Sequence, residues 1–289
     1  MARSSSRVLA LTTAVAALVA AAGCTPPDGR NPTTPIDAAT AACTKESLRT
    51  RTPGILTIAT DEPAREPWYR QNKPETGEGF EAAVAYAVAA QLGYASAEVT
   101  WTRVRFADAT PAPASFDFAV NQFSVTEERK QAVDLSAPYY LVRQAVIARK
   151  SSTIAGKKSL AGLKDARLGA QLGTTSYQAI TDIIKPGPKP QGYRGTDEAT
   201  QALRSGQIDG LVVDLPAAFR ITSTEMTDAT VVGQVPQVGA PETFGLLLGK
   251  DSPLTPCVNE AISELREAKT LTELEQKWLA QAAGATELT

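Results

Sequence analysis

Two rhythms of apolar and polar positions alternate along this chain. Short β-like runs occur at 55–59, 98–104, 116–120, 144–148, 168–171, 208–213, 231–235 and 243–248. Between them the spacing turns helical: Phe80, Val84, Ala87, Val88 and Leu92 share one face of a helix over 80–92. Further helices are predicted at 174–184, 196–205, 254–268 and 271–280. Strands alternating with helices predict an α/β architecture with mostly parallel sheets. Two stretches, 150–158 and 185–195, read as connections, and the second holds Pro186, Gly187, Pro188 and Pro190, which no helix accommodates.

The pattern is different before residue 54. Arg3 and Arg7 precede an apolar stretch over 8–22 that ends in Gly23-Cys24. A basic start, a short apolar run and small residues describe a secretory signal, and the run falls short of the roughly 20 residues that span a bilayer. Residues 21–24, Ala-Ala-Gly-Cys, resemble a bacterial lipobox, with Ala21 where Leu is commonest. Cleavage before Cys24 leaves its thiol for lipid attachment. Residues 25–42 carry Pro26, Pro27, Pro32 and Pro35 with no apolar period, as a tether would.

Composition narrows the chemistry. The 289 residues include no histidine, which excludes Ser-His-Asp triads, His-ligated metals and imidazole switches. A net charge of −2 gives no sign of nucleic-acid binding. Of three cysteines, lipidation of Cys24 leaves Cys43 and Cys257 as a pair in an oxidising compartment, or as two unrelated buried thiols.

In open α/β sheets, ligands sit beyond the carboxyl ends of the strands. Asn121, Gln122, Phe123 and Ser124 follow the strand at 116–120, and Thr126 is placed to cap a helix whose first turn holds Arg129. A cation there gains nothing from the helix dipole, so Arg129 either meets an anion, such as a carboxylate gripped by its planar fork, or pairs with a neighbouring Glu on the surface. Gly173, Thr174 and Thr175 open the next helix, as an anion site or as an ordinary N-cap. Asp214 ends the strand at 208–213, either facing the crevice, where it suits an ammonium, or capping the helix that starts at Pro216. A cation, hydroxyls with free amides, and a carboxylate together match an α-amino acid.

These residues stand in a longer series: Gly79-Phe80-Glu81, Asp117, the run from Asn121 to Arg129, the run from Val133 to Tyr140, Gly173-Thr174-Thr175, Asp209, Val213-Asp214 and Lys277-Trp278-Leu279. In that order they resemble the family 3 extracellular solute-binding proteins, which serve polar-amino-acid ABC importers. The resemblance covers roughly residues 54–280, and its most specific part is 124–140. It implies a two-lobed, type II periplasmic-binding-protein-like fold with two crossing hinge strands. By position, it implies that Arg129 holds the ligand carboxylate with help from Thr175 and the Ser124 segment, while Asp214 takes the ammonium; Thr174, at the same helix start, is counted with the ligand-binding residues. Gln122, beside Asn121, matches a backbone or hydroxyl contact. Phe106 matches an aromatic wall and Asp61 a position that reads the ligand side chain. Arg65 stands where the family usually has a second aromatic, and Ala83 where it usually has a second acid. If Arg65 faces the cleft it favours Glu, Gln, Asp or Asn; Asp61 either welcomes a basic side chain or pairs with Arg65, neutralising both.

The expected organisation is a signal peptide over 1–23 and a lipid-anchored linker with an N-terminal extension over 24–53. Lobe 1 is expected over 54–146 and 236–289, and lobe 2 over 147–235, with crossings near 144–149 and 234–237. The expected protein is a monomeric, membrane-anchored receptor on the extracytoplasmic face that delivers an amino acid to an ABC-importer permease, with no cofactor, no metal and no catalysis. Two other classes compete. One is an enzyme on the same fold, resembling cyclohexadienyl or arogenate dehydratases, for which Glu62, Glu66 and Glu242 are candidate acids. The other is a ligand-sensing module of a membrane kinase.

Overall fold

In a computed structural model of the chain, residues 43–112, 114–280 and 284–289 are described. The basic start, the apolar stretch, Cys24 and most of the tether lie outside the described residues. The described chain begins β1 (Leu56–Thr60), α1 (Phe80–Gln91), β2 (Val99–Arg103), β3 (Phe118–Ala119), α2 (Glu127–Ala132), β4 (Val133–Leu135) and β5 (Tyr140–Leu141). It continues with β6 (Gln144–Arg149), β7 (Leu168–Gln171), α3 (Thr175–Ala179), β8 (Gln191–Tyr193), α4 (Thr196–Ser205), β9 (Gly210–Asp214), α5 (Leu215–Arg220) and β10 (Ala229–Gln234). It ends with β11 (Thr243–Phe244), β12 (Leu247–Gly249), α6 (Thr255–Glu267) and α7 (Thr270–Leu279).

The strands form two sheets, one per lobe, in the orders β2-β1-β3-β12-β4 and β10-β6-β9-β7-β8. Both sheets are mixed rather than mostly parallel. β1 is parallel to β2 and β3, and β7 to β8 and β9, whereas β12 and β6 each run antiparallel to both neighbours. β12 and β6 are the first strands laid down after the chain changes lobe, so no crossover helix dictates a parallel return. Between the sheets, β5 and β11 pair as a two-stranded ribbon, Leu141 opposite Thr243 and Tyr140 opposite Phe244.

α1 is apolar almost all round and correspondingly sunk in the first core: Phe80, Val84, Ala85 and Val88 are buried beside Leu56, Ile58, Phe118, Val258 and Ile262. Gly79 has φ 105°, and a Cβ there would meet the Trp68 carbonyl oxygen at 2.3 Å, so glycine is required where α1 begins. Cys43 and Cys257 form a disulfide with Cα atoms 5.3 Å apart, joining the start of the described chain to α6. In the second lobe the two-residue period of β6 serves both faces: Ala145 and Ile147 enter one core with Leu203 and Leu211, Val146 and Ala148 another with Leu168 and Val212.

Three expectations are corrected. The Pro-rich stretch 185–195 contains a strand: β8 pairs with β7 at the edge of the second sheet, where the proline-flanked segment needs only one hydrogen-bonding neighbour. Residues 144–146, expected in lobe 1, belong to β6 and hence to the second sheet. Residues 284–289, also expected in lobe 1, lie along the second sheet, where Glu287 bridges Gln234 in parallel and Leu288 is buried against Val235 and Val212.

Candidate functional site

A cavity of about 660 Å³ lies between the lobes, and its wall includes Arg129 from the first lobe with Thr175 and Asp214 from the second. β3 delivers the chain to its rim. Asn121, 8% exposed, lines it. The next residue, Gln122, takes φ 48°, and its backbone N–H donates to Glu81 Oε1 at 2.7 Å while its side-chain amide donates to the other oxygen. Burial raises the Glu81 carboxyl to about 7, against the bonds it accepts from Tyr139 and Gln122. An acid in the first turn of α1 thus fixes the loop that carries Ser124.

α2 positions Arg129. Its N-cap Thr126 accepts a hydrogen bond from the Arg129 backbone N–H at 3.2 Å, so the side chain leaves the first turn toward the cavity. One guanidinium nitrogen donates to the Ser124 carbonyl at 2.9 Å and another to the Gly173 carbonyl, also at 2.9 Å, across the cleft. Its Cζ lies 5.2 Å from the ring centre of Phe106, which stacks on Phe123 at 5.2 Å. Among the described residues no ion pair involves Arg129, so the surface pairing with a neighbouring Glu is not formed. Burial weakens its hold on its proton, and the charges of Glu242 and Asp214 oppose that shift.

Asp214 occupies the N-cap position of α5 but makes no capping bond. Its Oδ1 accepts from the Gln144 amide at 2.7 Å instead. Burial, reinforced by the charge of Glu242, raises its carboxyl to about 8. Thr174 is the N-cap of α3: its hydroxyl accepts from Tyr177 N–H at 3.2 Å and donates to the Gln171 carbonyl at 2.7 Å. Thr175, one residue on, turns its hydroxyl to Glu242.

Glu242 immediately precedes β11. Its Oε1 accepts from Ser124 Oγ at 2.7 Å and from Thr175 Oγ1 at 2.5 Å, and its Oε2 accepts from the Gln144 amide at 3.0 Å. Gln144 is held in turn by Ser176, whose hydroxyl donates to Gln144 Oε1 at 2.6 Å. A second charged group stands at the mouth. Arg65 pairs with Asp197 across the cleft, its other nitrogen is 3.9 Å from Glu225, and Arg220 pairs with Glu225. Asp61 does not join Arg65; its carboxylate accepts from the Phe106 backbone N–H at 3.1 Å and from that of Glu62 at 2.7 Å.

The structure therefore brings Arg129, Asp214, Thr175, Ser124, Gln122, Asn121, Phe106, Asp61, Arg65 and Thr174 to one cavity. Sequence reasoning missed Gln144 and Ser176, and named Glu242 only as a possible acid. A polar residue opening an otherwise apolar strand was the available signal for Gln144. Chemically, the inner end offers a cation bonded to two neutral carbonyls, a carboxyl beside an amide, and two hydroxyls already bonded to a carboxylate.

Comparison with known proteins matches residues 56–281 to the bacterial extracellular solute-binding proteins, family 3. The L-cystine-binding protein TcyJ of Escherichia coli (strain K12) is 29% identical over 203 residues, covering 69% of this chain and 73% of that protein. The ABC transporter arginine-binding protein 1 of the same strain is 28% identical over 212 residues, covering 70% and 82%. Among solved structures, an ancestral arginine-binding protein bound to glutamine superposes with a TM-score of 0.64 at 29% identity, covering 78% of this chain and 98% of that one. An ancestral amino-acid-binding protein, a precursor of cyclohexadienyl dehydratase, gives 0.62 at 29% identity, covering 78% and 95%. With a two-lobed mixed α/β fold, a cleft built from both lobes and a match spanning most of its length, this chain belongs to the bacterial extracellular solute-binding proteins, family 3.

Proposed function

We propose that the protein is a lipid-anchored extracytoplasmic receptor that captures a polar amino acid in the inter-lobe cleft and presents it to the permease of an ABC importer. One observation carries the reading: Arg129, with no carboxylate partner among the described residues, and the Asp214 carboxyl line the same cavity from opposite lobes. In this reading Arg129 takes the ligand carboxylate, Asp214 the ammonium, and Phe106 forms the aromatic wall, with Asn121, Gln122, Ser124, Thr174 and Thr175 completing the head-group end. Lobe 1 comprises the first sheet with α1, α2, α6 and α7; lobe 2 comprises the second sheet with α3, α4 and α5. The protein acts as a monomer, held to the membrane by lipid on Cys24.

At the mouth, the charges of Arg65 and Arg220 are balanced by those of Asp197 and Glu225, which leaves little net charge to read a ligand side chain. Uncharged Gln and Asn therefore rank first, Glu and Asp next, and Lys and Arg last. Calorimetry with these six amino acids tests the order, and tighter binding of Lys or Arg refutes the ranking; extended to all twenty amino acids and L-cystine, it refutes the reading if none of them binds. Cys24→Ser should move the protein from the membrane to the soluble fraction.

The alternative is an enzyme on this fold, and it has one observation in its favour: the Asp214 carboxyl, raised to about 8 in the cleft, is a group able to donate a proton near neutral pH. Incubation with prephenate and arogenate yields aromatic product only under this second reading.

A further inference from the structure

Ser124 and Thr175 face the cavity, one from each lobe, and Glu242 does not. Glu242 lies behind them and lines a separate pocket of about 90 Å³ with Gln144, Val235 and Pro236. A hydroxyl has one proton to give and two lone pairs. A carboxylate has no proton and can only accept. In the contacts from Ser124 Oγ at 2.7 Å and from Thr175 Oγ1 at 2.5 Å to Glu242 Oε1, both hydrogen-bond protons therefore come from the hydroxyls. The two hydroxyl oxygens lie 3.2 Å apart, and neither has a second proton with which to bond the other. The Gln144 amide occupies Oε2 at 3.0 Å and also donates to Asp214 at 2.7 Å, so the carboxylate plane of Glu242 is fixed relative to Asp214; a longer contact of 3.4 Å from the same amide takes one lone pair of Thr175 Oγ1 and leaves the other for the cleft.

We propose that Glu242 is a specificity-determining positioning residue: by consuming the protons of the Ser124 and Thr175 hydroxyls, it turns both oxygens toward the cleft as hydrogen-bond acceptors. They cannot then donate to a ligand carboxylate, and that task falls to Arg129 and backbone N–H groups. What they can meet is a ligand donor, so the two hydroxyls join Asp214 in reading the ammonium. The assignment rests on the amino-acid reading above and deepens it: the site selects 2-amino acids over 2-hydroxy acids through acceptors contributed by both lobes. The same bonds join Ser124 of the first lobe, Thr175 of the second and a residue on the connecting ribbon, so this acceptor set is complete only when the cleft is closed.

The test uses the full-length protein. A calorimetric panel of the twenty L-amino acids and L-cystine identifies the tightest binder, and the L-2-hydroxy acid with the same side chain is its partner probe. The readout is the ratio of the two affinities, which a merely structural role would leave alone because both ligands would weaken together. The ratio should fall about tenfold or more in Glu242→Ala, where the freed hydroxyls can rotate and donate. Ser124→Ala, which removes one oriented oxygen and keeps Glu242, should lower it about threefold, so the result does not depend on the folding of Glu242→Ala. A ratio unchanged in Glu242→Ala or in Ser124→Ala overturns the proposal. If no amino acid binds the starting protein, the receptor reading itself falls and takes this proposal with it.

Discussion

The inner end of the cleft and its mouth are furnished with the same residue types, arranged in opposite ways. At the inner end, among the described residues, the Arg129 guanidinium bonds only to the carbonyls of Ser124 and Gly173, and Asp214 bonds to the Gln144 amide. At the mouth, Arg65, Arg220, Asp197 and Glu225 are already joined in ion pairs. Burial differs as well: the Asp214 carboxyl is raised to about 8 by desolvation, whereas the side chains of Arg65 and Asp197 are 37% and 57% exposed. Charges kept apart in a half-dry wall have their attraction in reserve for a ligand. Charges paired in contact with water have spent theirs, and little net free energy remains in them.

The sharpest way to break this contrast is Arg129→Ala. It removes a charge-assisted pair from a desolvated cleft, and every amino-acid ligand should weaken by about 3 kcal/mol, more than a hundredfold in Kd by calorimetry. Normal binding by Arg129→Ala would place the inner pole elsewhere.

Proton linkage sharpens it further. With its carboxyl raised to about 8, Asp214 in the proposed role gives up a proton when it meets the ligand ammonium. Affinity should therefore rise by up to about tenfold per pH unit between about 6 and 8 and then level off, with proton release visible as buffer-dependent binding enthalpy. The sign for stability is the reverse. With the folded value raised above that of the unfolded chain, this carboxyl and Glu81, raised to about 7, each stabilise the free protein less as pH climbs from about 4 to its folded value. A Kd flat over that range would mean that Asp214 is ionised before the ligand arrives.

The smallest effect belongs to the mouth. Arg65→Ala should cost about 0.5 kcal/mol in ligand affinity, fading as salt is raised toward 1 M. A loss as large as that of Arg129→Ala, unaffected by salt, would erase the distinction between the two ends.

The two ends were also unequally legible in the sequence. Arg129 announced itself through local conflict, a cation in the first turn of a helix beside a Thr cap, and Asp214 through its place at the end of an apolar strand. Both signals span a few residues. Asp197 lies 132 residues from Arg65, and Glu242 lies 118 from Ser124, on a segment with no period of its own. Nothing local encodes such partners; they exist only once two lobes have folded and met. The same holds for β8, whose flanking prolines spoke against a helix but were silent about an edge strand, and for the short β4 and β5, which are strands because β12 and β11 lie beside them.

The carboxy-terminal segment changes the mechanics of the molecule. α7 packs in the first lobe, yet the Leu288 N–H donates to the Gln234 carbonyl at 2.8 Å and the Thr289 N–H to the Lys158 carbonyl at 3.1 Å, both in the second. Beyond the β5–β11 ribbon, the chain therefore spans the lobes a third time. Glu287 lies as a parallel bridge beside Gln234, and Leu288 closes the core under β10, so the last residues of the chain complete a sheet whose own strands all lie earlier in the sequence. The tail is a clasp on the second sheet, added after the first lobe is finished, and the stability of one lobe therefore depends on residues that follow the other.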